Sequence, residues 1–242
     1  MNELLALLER YAPGYAERIQ GASAWNLFML KKVFGQSLPE FYQEFVEVMG
    51  KDGGPLLAHV DSYDPYDVTE LYEVAWRELP PRRFLFVFGD PSPDDQHYWL
   101  DLEAPSEDGD CKVFRFPFGT EEWKKHGSPL YMSLREMLFV WAMSNVGLPT
   151  FPHRAAYYSR LANVPPNELL DAEDVARIFE RLRFVRLPYP QRCMLFERDD
   201  AAIELYRSPD EPGFSFRVGM RNAEEFRRFQ GIMEDIKGLA KE

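Results

Sequence analysis

The chain has 242 residues, 45% of them hydrophobic and 15% aromatic, with 40 acidic against 28 basic side chains and a net charge of -12. That length and apolar content support a packed core in one large domain or two small ones, and the aromatic content excludes a disordered acidic chain. The negative sign, without any stripe of Lys and Arg, argues against a nucleic-acid ligand.

The first sixty residues read as helices. Leu4, Leu5, Leu7 and Leu8 recur at helical spacing, and Leu27, Phe28, Leu30 and Phe34 do so again before Gly35 stops the run. A third helix is expected from Ser37 as cap, Pro39 in the first turn and Glu40 completing a capping box, with Phe41, Phe45, Val48 and Met49 inward. Gly53-Gly54-Pro55 breaks the chain, Leu56 to Val60 is a short apolar run, and Val68 to Trp76 predicts a helix with Leu71, Tyr72, Ala75 and Trp76 inward. Between them, Asp61-Ser62-Tyr63-Asp64-Pro65-Tyr66-Asp67 is expected to be an exposed irregular loop, because a core does not accept three unpaired carboxylates.

Three strands follow. Phe84 to Phe88 is apolar at every position, as in a strand covered on both faces, while Tyr98 to Leu102 and Val113 to Phe116 are partly alternating. A second capping box, Ser133 with Glu136, opens a helix through Met137, Leu138, Val140 and Trp141 that Gly147 and Pro149 close. A domain break is expected there, dividing the chain into 1–148 and 149–242. The second part predicts helices at Ala155 to Leu161 and Ala172 to Leu182, and strands at Cys193 to Glu197, Ala202 to Tyr206 and Phe214 to Val218. A last helix starts at Asn222, with Phe226, Phe229, Met233 and Ile236 on one face. This part is either a separate α+β unit or an extension of the first sheet.

Charge is concentrated in one stretch. Residues 61–110 hold fourteen acids and three bases, so eleven of the twelve net negative charges arise there. The acids sit mainly in predicted turns and strand ends around a strand, Phe84 to Phe88, that has no charge. Such a local field selects a basic partner, and the candidate contact residues are Asp61, Tyr63, Asp64, Tyr66, Asp67, Asp90, Asp94, Asp95, Glu107, Asp108 and Asp110.

Other chemistry leaves weaker marks. His59, His97, His126 and His153 lack metal-ligand spacing, although His97 after Asp94 and Asp95 keeps a divalent-cation site, and with it a metal-dependent hydrolase, as an alternative. No Gly-x-Ser-x-Gly, phosphate-loop or dinucleotide motif is present. Cys111 and Cys193 lie in apolar strand-like runs and read as buried thiols. Trp76, Trp99, Trp123 and Trp141 read as core residues or as the lining of a groove. The first residues carry acid where a secretory signal needs positive charge, and no apolar run reaches membrane-spanning length. A cytosolic protein without cofactor or metal is therefore expected.

The segment Gly35-Gln36-Ser37-Leu38-Pro39-Glu40-Phe41-Tyr42-Gln43-Glu44-Phe45, ending in Met49-Gly50, resembles the signature of the SUKH superfamily of bacterial immunity proteins and fungal cell-wall regulators. Phe84 to Gly89-Asp90, Tyr98-Trp99-Leu100-Asp101 and Val113 are similar to the strands that follow in that family, and Ser133 to Val146 stands where its last helix would be. The resemblance covers about residues 27–146. Pro91-Ser92-Pro93-Asp94-Asp95 departs from it, since the family often has a Gly-rich turn there. It implies an α+β fold with a mostly antiparallel central sheet flanked by helices. It also implies a non-catalytic role, binding and neutralising a cognate toxin, with a regulatory or scaffold module as the alternative; the acidic loops read from the charge distribution fit a basic toxin domain.

Overall fold

The computed structural model describes residues 1–93, 96–106, 109–159 and 170–242. They form an α+β protein with two antiparallel sheets, divided into two compact units, Met1–Leu138 and Phe139–Glu242.

Unit 1 opens with α1 (Asn2–Tyr11), α2 (Ala24–Phe34), α3 (Glu40–Met49) and α4 (Pro65–Val74). Ser23 caps α2 by accepting the Asn26 amide at 3.1 Å, and Gly35 ends it in the left-handed conformation at φ 76°, which residues with a Cβ rarely adopt. Arg82 completes that end by donating to the Val33 carbonyl at 2.6 Å and to that of Phe34. The expected capping box on α3 does not form. Pro39 occupies the cap position without a side-chain bond, and Gln43 instead donates to the Leu38 carbonyl at 2.7 Å. The buried face of α3 is Phe41, Tyr42, Phe45, Val46 and Met49, with Val48 only half-buried.

The sheet of unit 1 runs in the order β1 (Phe84–Phe88), β2 (Gln96–Pro105), β3 (Cys111–Pro117) and β4 (Ser128–Tyr131). A short helix, α5 (Glu122–His126), precedes β4. All five residues of β1 are buried. Strict alternation would put Phe84, Phe86 and Phe88 on one face, but the register passes from Phe86 opposite Trp99 to Phe88 opposite Tyr98, leaving Val87 as an extra residue. Phe84 and Phe86 therefore stay on an aromatic face with Trp99, Phe116 and Phe118, while Phe88 turns to α3, its ring 5.5 Å from Phe45.

β1 is an edge strand, and its open side is closed by side chain and loop. The Tyr72 hydroxyl of α4 donates to the Phe84 carbonyl at 3.1 Å and accepts the Phe86 amide at 2.9 Å. One step on, Asp61 and Gly89 exchange backbone bonds of 3.0 and 2.8 Å. A Cβ at Gly89 would lie 1.9 Å from an Asp61 carboxylate oxygen, so glycine is what permits this approach.

The boundary between units falls inside α6 (Leu134–Trp141), whose cap Ser133 accepts the Glu136 amide at 3.0 Å, as the capping pattern predicts. The helix continues through a π-turn at Ala142–Gly147. Unit 2 holds a six-stranded sheet in the order β10 (Leu239–Lys241), β5 (His153–Ser159), β9 (Ser215–Met220), β8 (Ala201–Tyr206), β7 (Met194–Arg198) and β6 (Val185–Arg186). One face buries Tyr157, Phe196, Ile203, Leu205 and Phe216 against Phe179 of α7 (Ala172–Arg181) and Phe229 and Met233 of α8 (Ala223–Glu234). On the other face Glu204 is buried and accepts a 2.9 Å bond from Ser144 of the π-turn, with burial pushing its pKa up.

The helix expected at Ala155 to Leu161 is strand β5 as far as Ser159, and the remaining two residues lie outside those described. Ala155 and Tyr157 face the core with Tyr157 stacked 4.9 Å from Phe216, whereas Tyr158 is exposed. Pairing on both sides, with β9 and β10, outweighs the weak helical preference of Ala-Ala-Tyr-Tyr.

Tyr72→Phe removes two bonds from buried backbone groups and is expected to lower unfolding free energy by about 1–3 kcal/mol in urea titration. Tyr42 is equally buried but its hydroxyl has no hydrogen-bond partner among the described residues. Tyr42→Phe is therefore expected to leave stability unchanged or raise it.

Candidate partner-binding groove

The fold sorts the described acids of residues 61–110 into two groups. The first is committed to the protein itself. Asp90 caps the Ser92 amide at 2.9 Å and pairs with Arg115 at 2.6 Å; burial opposes its ionisation, but these bonds outweigh it and hold its pKa below the usual carboxylate value. Asp101 and Glu103 share Arg83, at 2.6 and 2.8 Å. Asp64 caps α4 by accepting the Tyr66 amide at 2.8 Å, with Pro65 in the first turn, where its missing N–H costs nothing.

Asp110 departs furthest from expectation. It is buried, accepting the Cys111 amide at 2.7 Å and the Arg135 amide at 2.8 Å, and so ties the start of β3 to the first turn of α6. Burial raises its pKa to about 6 against those bonds. It cannot present charge to a partner. The neighbouring Cys111 thiol is pushed up to about 12, first by burial and then by Asp110 and Asp101, so it is an inert core thiol.

The second group comprises Asp61, Asp67, Glu70, Glu73 and Glu78, all exposed and none in an ion pair among the described residues. Three of them, Asp67, Glu70 and Glu73, recur every third residue along α4. The Asp67 carboxyl is raised in pKa by burial and then by the charges of Asp64, Glu70 and Asp61. Three of these five free acids thus share one face of α4. The expected irregular loop ends at Asp64, and Tyr66 and Asp67 belong to α4.

The same helix borders an apolar groove. Among the described residues seven large hydrophobic side chains are exposed, and five of them, Trp25, Phe28, Tyr66, Val74 and Trp76, lie on α2, on α4 or just beyond it, at 54% to 77% exposure. A cleft of about 320 Å³ between the two helices is lined by Trp25, Asn26 and Met29 from α2 and by Tyr66, Thr69, Glu70, Glu73 and Val74 from α4. Phe28 extends the apolar surface from Trp25 of that lining, the two rings standing 5.6 Å apart. Contiguous exposed apolar surface with a polar rim marks an interaction site.

Of the residues expected to touch a partner, Tyr66 lines this groove and Asp61 and Asp67 belong to the acid cluster beside it. Tyr63 does not join them: its hydroxyl accepts the Gly53 amide at 3.1 Å and its ring packs 5.9 Å from Phe88. Asp90 and Asp64 are structural, and Asp94, Asp95, Glu107 and Asp108 lie outside the described residues. The acidic segments do not form one site. Asp61 meets Gly89 just past the end of β1, whereas Asp110 adjoins Cys111 opposite Pro105, beyond the start of β1. Five strand residues separate those ends by roughly 17 Å. Trp25, Phe28 and Val74 were not expected at a surface site, and Trp76 was expected inside. It is exposed, with Arg77 4.9 Å from its ring centre. A sequence signal existed for Val74 alone: the inward residues of α4, Val68 and Tyr72, leave Glu70, Glu73 and Val74 on the opposite side.

Trp99 and Trp141 are core residues, as expected. His97 is buried, with Nδ1 accepting the Asp90 amide at 3.3 Å and its ring 4.0 Å from Phe118. No cluster of His, Cys, Asp and Glu suited to a metal occurs among the described residues, and no helix among them is long and apolar enough to cross a membrane. No family model matches the chain, and no curated protein matches it.

Two outcomes are expected. Glu73 lies at the wrong end of the α4 dipole and three residues from Glu70, so Glu73→Gln should raise stability by roughly 0.3–1 kcal/mol in urea titration. The Asp110 carboxyl titrates near 6 in the folded chain against an ordinary 3.8, so its stabilisation is fully present below about pH 4 and lost as pH rises through 6. Asp110→Asn keeps an oxygen for the amide donors and does not titrate. The stability of wild type relative to this variant should therefore fall between pH 4 and 6, and a constant difference would refute the assignment.

Proposed function

We propose that this chain is a non-catalytic binding protein of the immunity type, which engages a basic protein through the α2–α4 groove and its acidic rim. The observation that carries the reading is the grouping of exposed Trp25, Tyr66 and Val74 in one cleft, with Phe28 against Trp25, beside a row of carboxylates that make no ion pair among the described residues. Aromatic side chains supply contact area at little entropic cost, and the carboxylates steer a basic partner and speed its association. The resemblance of residues 27–146 to the SUKH superfamily supplies the biological sense, neutralisation of a toxin domain in the cytosol. A nuclease toxin would carry the positive charge that phosphate binding requires.

Where a large secreted protein is encoded beside this gene, co-expression with its C-terminal domain tests the reading. Wild type is expected to restore growth, and the double variant Trp25→Ala, Tyr66→Ala to lose that protection while remaining folded, since both side chains are exposed. Absence of protection by wild type, or full protection by the variant, would overturn it.

A further inference from the structure

We infer that the occupant of the groove is an amphipathic helix of the partner, with Lys or Arg along the flank that faces α4. This rests on the groove being the partner-binding surface.

The walls decide the form of the occupant. Both are helices, of 11 and 10 residues, whose backbone groups are bonded within the helix. The Thr69 hydroxyl in the cleft is likewise satisfied, donating to the Pro65 carbonyl at 2.6 Å. An extended segment binds by adding main-chain bonds to a strand edge, and the nearby β1 edge is already closed by Tyr72 and Asp61. What the cleft offers is side chain: Trp25, Met29 and Tyr66, with Val74. Apolar residues at i, i+3, i+4 and i+7 of a third helix fit such a trough. At 1.5 Å per residue the walls are roughly 15 Å long, which matches about three turns.

Charge decides the orientation about the helix axis. Asp67, Glu70 and Glu73 line α4, whereas the only charged residues of α2 are Lys31 and Lys32, both exposed in its last turn. A basic flank is attracted to one wall and repelled by the end of the other. A cationic helix also relieves the repulsion between acids three residues apart on α4. Carboxylates that weaken their own helix are therefore expected to contribute to binding, so that their removal stabilises the free protein and weakens the complex.

The probe is a synthetic amphipathic peptide of Leu and Lys, about 15 residues long so that a helix can form. Its controls are a scrambled peptide of the same composition and one with Glu in place of Lys. Binding to the full chain is followed by the indole signals of Trp25 and Trp76 in NMR, and ordering of the peptide by circular dichroism. The helical peptide should shift Trp25 and gain helix on binding. Scrambling it, or introducing Trp25→Ala or the pair Glu70→Lys, Glu73→Lys, should weaken binding by about tenfold or more. Equal affinity for the scrambled peptide, or shifts confined to other residues, would overturn the inference. So would a dimer in sedimentation that Trp25→Ala dissociates, since the groove would then hold a second copy. If the peptide fails while Trp25→Ala still abolishes protection in co-expression, the helical occupant falls and the groove stands. If that substitution leaves protection intact, the groove itself is wrong.

Discussion

Tyr72 holds the organisation of the first unit together. β1 is wholly apolar, buried at all five positions, and stands at the edge of its sheet. An uncovered edge of that composition would recruit other chains. The hydroxyl of Tyr72 satisfies the Phe84 carbonyl and the Phe86 amide, and Asp61 satisfies both backbone groups of Gly89. Together they seat α4 along the strand. Once Val68, Thr69 and Tyr72 are turned inward, helical geometry obliges Tyr66, Glu70, Glu73 and Val74 to face out. The groove is thus a by-product of closing the sheet edge.

The same closure separates structural charge from free charge. Asp90 beside the first sheet and Asp101 and Glu103 within β2 are taken up by Arg115 and Arg83, and Asp110 is buried in amide bonds. A carboxylate in a buried or crowded place is retained where donors converge on it. Those on α4 have no such donors among the described residues, and they are exposed to solvent. Charged rows beside apolar clefts combine steering with desolvated contact, which neither feature supplies alone.

The second unit is built differently. Its six-stranded sheet packs a Phe and Met core against two helices, while the opposite face buries Glu204 with Ser144 from the π-turn. The π-turn adds a residue to the helical turn and brings Ser144 to this buried carboxylate, whose charge Arg217, opposite it on β9, also favours.

Much of the helical framework was legible in order and type, because period and capping residues are local: Ser133 with Glu136, Asn222 before α8 and Gly35 after α2 all act within a turn of their own position. The strand character of Phe84 to Phe88 was equally clear. What was illegible depended on partners distant in the chain. His153 to Ser159 is a strand only because β9 and β10 flank it, and β6 and β10 are too short to show a period. The acid surplus of residues 61–110 is a property of the sequence by itself. Which acids are free was decided by tertiary structure alone, since Arg83, Arg115 and the amides of α6 come from other elements, and so was the outward placing of Trp25 beside Tyr66. A side chain's exposure depends on which face of its helix finds a neighbour, and the chain around Trp25 and Trp76 does not contain that neighbour.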